Sequence, residues 1–196
     1  MSKRAFDVVL AALGLILASP IMAAIALALK RERRGPVLHR SPRLGRGGRV
    51  FHLLRFRTMT DASPDISLEA RLTPVGRFIR TYSLDDLPSL FHILRGDLSL
   101  VGPRPMEPHR VDLGDPTWQR ILSVRPGYVS YAIIVLASTY NGSSMADKQG
   151  LELEYVRRQS FLFDLRILAA ALRGVLTSRG NIKLHGTPRN QERVSD

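Results

Sequence analysis

Two adjacent carboxylates, Asp85 and Asp86, are flanked by arginines: Arg77 and Arg80 precede them, Arg95 and Arg104 follow. Neighbouring carboxylates repel each other unless a cation lies between them. Guanidinium groups suit phosphate oxygens, which they grip through paired hydrogen bonds. Two carboxylates in need of a cation, next to several arginines, are the parts of a site for metal-assisted chemistry on a diphosphate. The plainer alternative is a capped helix whose acidic residues are favoured by the helix dipole.

The elements around the pair can be read from spacing. Leu87, Leu90, Phe91 and Leu94 recur at helical intervals and predict one apolar face, with Gly96 as the C-terminal cap. The start stays open between a Ser83/Asp86 capping pair and a later start with Asp86 as N-cap, which Pro88 favours. Thr73-Pro74 predicts the start of another helix, reaching Tyr82. Val75, Phe78 and Ile79 share one side of it, and Arg77 and Arg80 face the other, as in an amphipathic helix lying in a membrane interface. Upstream, Val37 to Arg40 and Val50 to Arg57 predict the strands of a small hairpin around Gly45-Arg-Gly-Gly48. Arg55 and Arg57 share a strand face, where they either approach a phosphate or line a membrane. His39 and His52 lack metal-ligand spacing and read as structural.

Downstream, Val101-Gly-Pro-Arg-Pro105 is rigid turn material that holds Arg104 in place. The other reading of that turn is simply an exposed arginine. Leu151 to Gln159 and Ser160 to Ser178 predict two helices, the second capped by Ser160. Phe161, Leu165, Leu168 and Leu172 form a stripe for a core or a membrane surface. Asp61 to Asp65 reads as a loop and Asn181 to Asp196 as a polar tail.

The 196 residues carry a net charge of +12 and no cysteine. The charge implies an anionic partner: nucleic acid, anionic lipid or a phosphorylated substrate. Nucleic acid is set aside, because no interleaved aromatics or recognised module accompany the arginines. Without cysteine there are no disulfides and no thiolate chemistry. Ala5 to Leu29 is almost continuously apolar, interrupted by Asp7 and by Ser19-Pro20. It is too long for a signal peptide and lacks a cleavage site. A single span fits its length. Two features favour a re-entrant hairpin instead. Pro20 removes a helical hydrogen bond near the middle. Lys3 and Arg4 at one end, and Lys30, Arg31, Arg33 and Arg34 at the other, give both ends a basic preference for the cytoplasm. Asp7 is expected at the interface beside a base such as Arg4.

The stretch from Ser83-Leu-Asp-Asp-Leu-Pro88 through Gly96-Asp-Leu-Ser-Leu-Val-Gly-Pro-Arg-Pro105 resembles the signature of the bacterial sugar transferase family, the small monotopic phosphoglycosyl transferases. The resemblance extends to Lys3-Arg-Ala-Phe-Asp7, Ser19-Pro20, Arg55-Phe-Arg-Thr-Met59, Arg71-Leu-Thr-Pro-Val-Gly-Arg-Phe-Ile-Arg80 and Arg125-Pro-Gly127. It also takes in Glu152-Leu-Glu-Tyr-Val156 and Ser160-Phe-Leu-Phe-Asp-Leu-Arg-Ile-Leu168, and so covers nearly the whole chain.

The resemblance implies transfer of a sugar 1-phosphate from a UDP-sugar to polyprenyl phosphate. Asp85 would be the nucleophile, Asp86 would hold Mg²⁺, and Arg80, Arg104 and Arg57 would bind substrate phosphate. It also implies that Ser19 and Pro20 break the membrane helix and that the protein sits among the lipids of the inner membrane, on its cytoplasmic face. The expected fold is α+β and mainly helical, with an N-terminal re-entrant helix-break-helix, amphipathic interfacial helices and a small β-hairpin. The expected organisation is a membrane hairpin over 1–34, a catalytic domain over 35–180 and a tail over 181–196. A homodimer is compatible with a chain this small, though no interface signature marks one.

The chain departs from the family pattern in two places. The family's acidic pair is usually Asp-Glu, whereas here it is Asp85-Asp86. After Gly127 the usual Thr-Gly-Trp-Ala-Gln-Val-like stretch and Asn-Gly-Arg are replaced by Tyr128-Val-Ser-Tyr-Ala-Ile-Ile-Val135 and Tyr140-Asn-Gly142. A catalytically weak scaffold of the same fold is the competing expectation.

Overall fold

A computed structural model describes residues 3–32, 35–60 and 67–177. The expected loop over 61–65, Arg33, Arg34 and the tail over 181–196 lie outside these residues. The fold is mostly helical, with two small two-stranded sheets.

Helix α1 spans Lys3–Glu32 without interruption. The helix-break-helix expected at Ser19-Pro20 is therefore one continuous element. Pro20 has no N–H to offer the Ile16 carbonyl four residues earlier. The Ser19 hydroxyl donates to that carbonyl at 2.8 Å, which supplies the missing partner. One face of α1 packs on the protein through Asp7, Ala11, Ile25 and Leu29. The opposite face is bare and apolar, with Ile16 68% and Leu17 76% exposed. Among the described residues it is the one helix long and apolar enough to cross a membrane.

Both ends of α1 are tied to the same domain. Near its start, Lys3 pairs with the buried Asp164, and the Ser99 hydroxyl donates to Asp7 at 2.7 Å. Asp7 is thus buried and bonded to Ser99, not held at an interface by Arg4. Arg4 instead donates to the carbonyls of Ile93 and Leu94. At its far end, Ile25 and Leu29 pack with Phe56 and Ile79, and Glu32 accepts from the Val75 N–H at 3.0 Å.

Strands β1 (Leu38–Leu44) and β2 (Val50–Phe56) form an antiparallel hairpin, so β1 runs four residues further than expected. Gly47 and Gly48 turn it with φ of 68° and 76°, a region open to glycine at little cost. Short helix α2 (Leu68–Arg71) leads to α3 (Pro74–Thr81), where Thr73 accepts from the Gly76 N–H at 2.9 Å as the expected cap. A 3-10 turn over Leu84–Ser89 carries the acidic pair into α4 (Leu90–Arg95). Neither expected cap forms at that turn: Ser83 sits in the left-handed region at φ 55° with no side-chain capping bond, and Asp86 lies inside the turn. Gly96 ends α4 at φ 99°, as its position predicted.

Strands β3 (Ser99–Val101) and β4 (Gly127–Val129) pair in parallel, which the turn-like sequence after Val101 did not foreshadow. Gly102 and Gly127 make the pairing possible. A Cβ on Gly127 would lie 2.1 Å from the Gly102 backbone nitrogen. Gly127→Ala is expected to destabilise the fold by about 2 kcal/mol, the scale of an overpacked interior, measured as a lowered thermal midpoint in detergent.

Helices α5 (Pro116–Ile121), α6 (Tyr131–Leu136), α7 (Met145–Arg158) and α8 (Phe161–Thr177) complete the domain. Helix α7 starts six residues before its expected boundary, at a Ser144/Asp147 capping box that carries the helix through Gly150. Ser160 caps α8 as expected, accepting from the Phe163 N–H. Tyr155 joins α7 to the rest, its hydroxyl 2.8 Å from Asp164 and 3.0 Å from the Val101 carbonyl.

Three expected apolar faces divide between core and surface. On α3, Ile79 is buried while Phe78 faces out beside Tyr82, their rings 5.1 Å apart. On α4, Leu90 is buried and Phe91 faces out. On α8 the buried line is Asp164, Ile167 and Ala171, whereas Phe161 and Leu172 are exposed. Hydrophobicity requires that such residues leave water, but it does not say whether for a core or for another apolar phase.

Candidate active site

The 3-10 turn holds Asp85 and Asp86 against the inner face of the hairpin. Asp86 is 1% exposed, and its Oδ1 lies 2.7 Å from the Nε of Arg55 on β2. The Ser89 hydroxyl donates to the Asp86 backbone carbonyl at 2.6 Å, which pins the turn. Asp85 is less enclosed, with Arg80 of α3 at 3.9 Å. Two successive carboxylates are thus served by two arginines from different elements.

Burial and the adjacent Asp86 push Asp85 up to about 6, against the pull of Arg80 and Arg55. The arginines therefore leave the pair incompletely neutralised. Burial also lowers Arg80, and Arg55 repels it further, while Asp85 opposes the shift. Tyr128 on β4 faces the pair: burial first, then Asp86 and Asp85, raise its hydroxyl well above the usual phenolic range.

The hairpin register extends this site into a basic track. Arg55 pairs with His39, Leu53 with Ser41, and Phe51 with Arg43, so these residues share one face. His39, read from sequence as merely structural, lies among the arginines, and partial burial together with Arg55, Arg43, Arg57 and Arg80 lowers its basicity. Arg43 bonds Glu107 at 3.0 Å and the Pro105 carbonyl at 3.4 Å. Burial lowers Arg43 to about 10 despite Glu107, and Arg55 and Arg104 repel it from either side.

Arg104 lies on a second wall. Its guanidinium lies 5.1 Å from the Tyr140 ring centroid, which Lys148 approaches at 4.8 Å. The Arg104 N–H donates to the buried Glu152 at 3.1 Å, and the Ser130 hydroxyl donates to the same oxygen at 2.6 Å. Burial pushes Glu152 up to about 7 against these bonds. Arg57 lies beyond the end of β2, its guanidinium beside Gly35. Of the predicted site residues, the structure brings Asp85, Asp86 and Arg80 together. Arg104 joins them along the track through Arg43, and Ser19 and Pro20 belong to α1. Arg55, expected at a phosphate or at the membrane, instead reaches Asp86; Arg43, Glu152, Tyr140 and Lys148 were given no role in advance. For Arg55 and Arg43 the signal was their shared parity on the two strands.

A family profile described as bacterial sugar transferase matches residues 1–178. An uncharacterized sugar transferase of Bacillus subtilis, EpsL, is 39% identical, covering 91% of this chain and 89% of that protein. The UDP-glucose:undecaprenyl-phosphate glucose-1-phosphate transferase of Caulobacter vibrioides is 35% identical, over 91% of this chain and 71% of its own. The undecaprenyl-phosphate glucose phosphotransferase of Komagataeibacter xylinus is 34% identical over 91% of this chain, which spans only 36% of that longer relative.

Proposed function

Because the chain belongs to the bacterial sugar transferase family, we propose that it transfers a sugar 1-phosphate from a UDP-sugar to a polyprenyl phosphate, opening a glycoconjugate or exopolysaccharide assembly at the membrane. The observation that carries this reading is the enclosed acidic pair, with an incompletely neutralised Asp85 facing Arg80 and a basic track leading away from it. An Asp85 oxygen attacks the sugar-bearing β-phosphorus. The bond from that phosphorus to the bridging oxygen breaks, UMP leaves, and an acyl phosphate holds the sugar phosphate. A polyprenyl phosphate oxygen then attacks the same phosphorus, forms the lipid diphosphate and returns Asp85 as a carboxylate. Two steps replace one difficult encounter between two anions. Arg80, Arg104 and Arg57 bind phosphate oxygens whose charge grows as each bond breaks.

Among the described residues no cluster of three or more histidines and carboxylates could hold a metal alone. Mg²⁺ does not need one: it takes one or two carboxylates and completes its shell with water and phosphate oxygens. The repulsion that Arg55 and Arg80 leave between Asp85 and Asp86 suits such an ion, with Asp86 as its main ligand. When bound, it would neutralise charge on the diphosphate.

The packing of α1 supports a monotopic placement, and the basic residues at both its ends favour the cytoplasmic face of the inner membrane. A helix of 30 residues is about 45 Å long, more than a bilayer's hydrocarbon core. Both its ends grip one domain while its outer face is bare, an arrangement suited to entering from one side and staying there.

The test is UMP release from a panel of UDP-sugars by protein in nanodiscs with polyprenyl phosphate and Mg²⁺. Release is expected for at least one sugar. Its kcat/KM should rise with pH around an apparent pKa of about 6, as the acidic pair loses its proton. Stability runs the other way. Asp85 ionises near 3.8 when unfolded and near 6 when folded, so the fold loses stability as pH rises through that interval. One observation favours a weak scaffold instead: Arg55 already engages the carboxylate assigned to the metal. That reading predicts no release from folded protein with any sugar.

A further inference from the structure

The hairpin has a second face, and it belongs to no part of the proposed reaction. Leu54 follows directly before Arg55 on β2, so the two point to opposite sides of the sheet. On the Leu54 side the hairpin, α4 and the segment around Arg125 enclose an open groove of about 1190 Å³. Five arginines line it: Arg40, Arg46, Arg49, Arg95 and Arg125. Its one carboxylate, Asp97, is already engaged. It accepts from His92 Nδ1 at 2.9 Å and lies 3.4 Å from Arg95. His92 must carry its proton on Nδ1, because its Nε2 accepts from the Leu54 N–H at 3.2 Å.

Two of the arginines are held in advance. Arg46 Nε donates to the Ser123 carbonyl and Arg125 Nε to the Gly96 carbonyl, each at 3.0 Å. These bonds anchor the side chains through one nitrogen and leave the terminal nitrogens of each fork for an anion. Arg40 and Arg49 are exposed and have no carboxylate partner among the described residues. The groove also has an apolar lip: Phe91 is 50% and Val50 55% exposed. Its α4 wall is clamped to the start of α1, where Arg4 donates to the Ile93 and Leu94 carbonyls.

We infer that this groove binds the headgroup of an anionic phospholipid, the phosphodiester on the arginines and the acyl chains leaving past Phe91 alongside α1. Charge complementarity favours an anion, the apolar lip favours one attached to a chain, and the clamp between α4 and α1 sets the groove beside the helix whose bare apolar face enters the lipid. The inference rests on the membrane placement of α1 and is independent of the transfer reaction, so either can fail alone.

The test uses the full chain in nanodiscs of equal phosphatidylcholine and phosphatidylglycerol, with retained lipids counted by native mass spectrometry. The native protein should retain phosphatidylglycerol in preference, and salt should erode that preference. Arg40→Gln with Arg49→Gln should lower the phosphatidylglycerol-to-phosphatidylcholine ratio roughly tenfold or more, the scale of removing two basic groups from an anionic surface. Neither side chain makes a bond among the described residues, so the thermal midpoint should hold. Arg40→Lys with Arg49→Lys should keep most of the preference. An unchanged ratio in the Gln variant, equal loss of both lipids, or a preference that ignores salt would overturn the inference. So would displacement of the lipid by millimolar inorganic phosphate, which would make the groove a site for the free anion.

Discussion

Asp85→Asn is expected to lower UMP release at least about 10³-fold, the scale of removing a covalent nucleophile. The amide is nearly the same size as the carboxylate and fits the same space, but it has no anionic oxygen to attack phosphorus. The variant should fold at least as well as the native chain. Asp85 is raised by burial and by Asp86, so its charge costs stability at neutral pH, and the neutral amide relieves that cost. The combination of collapsed release and an unlowered thermal midpoint separates a chemical role from a structural one. If release persisted in this variant, the nucleophile would lie elsewhere.

Arg55→Met is expected to act mainly through the fold. Arg55 is the cation beside Asp86, whose side chain is almost fully enclosed. Removing one partner of a buried pair strands the other charge, which costs about 3 kcal/mol. The thermal midpoint in detergent should fall accordingly, and should recover in part as pH drops and the stranded carboxylate takes up a proton. Arg55→Met with Asp86→Asn should regain most of the loss, because the double variant buries no unpaired charge. A loss in the double variant equal to that of Arg55→Met alone would mean that Arg55 acts by packing.

The parts of this molecule that were readable in advance are those encoded within a few residues. The Thr73 and Ser160 caps and the Gly96 stop depend on neighbours in the chain, and the structure has them. Asp85, Asp86 and Arg80 lie close in sequence, so their meeting was legible too. Arg55 reaches Asp86 from a strand thirty-one residues upstream, and its sequence neighbours fit a lipid-facing arginine equally well. The β3–β4 pair exists because two distant glycines let backbones touch, and Gly102 stands in what otherwise reads as a turn. Gly150 concealed the first turns of α7, although the capping box lay just upstream. Phe78, Phe91 and Phe161 mark the last limit. Helical periodicity finds an apolar face but cannot divide it between a protein core and a lipid phase, because both take it out of water.

The claim that Asp85 carries the sugar phosphate is tested most directly by trapping it. Protein in nanodiscs would be mixed with UDP-sugar and no polyprenyl phosphate, quenched, and measured as intact mass and then as peptides. The account predicts an added sugar phosphate on the peptide containing Asp85. It should be lost when polyprenyl phosphate is supplied and absent from Asp85→Asn. Release of UMP on adding the lipid, with no adduct at any earlier time or with an adduct on another residue, would contradict it.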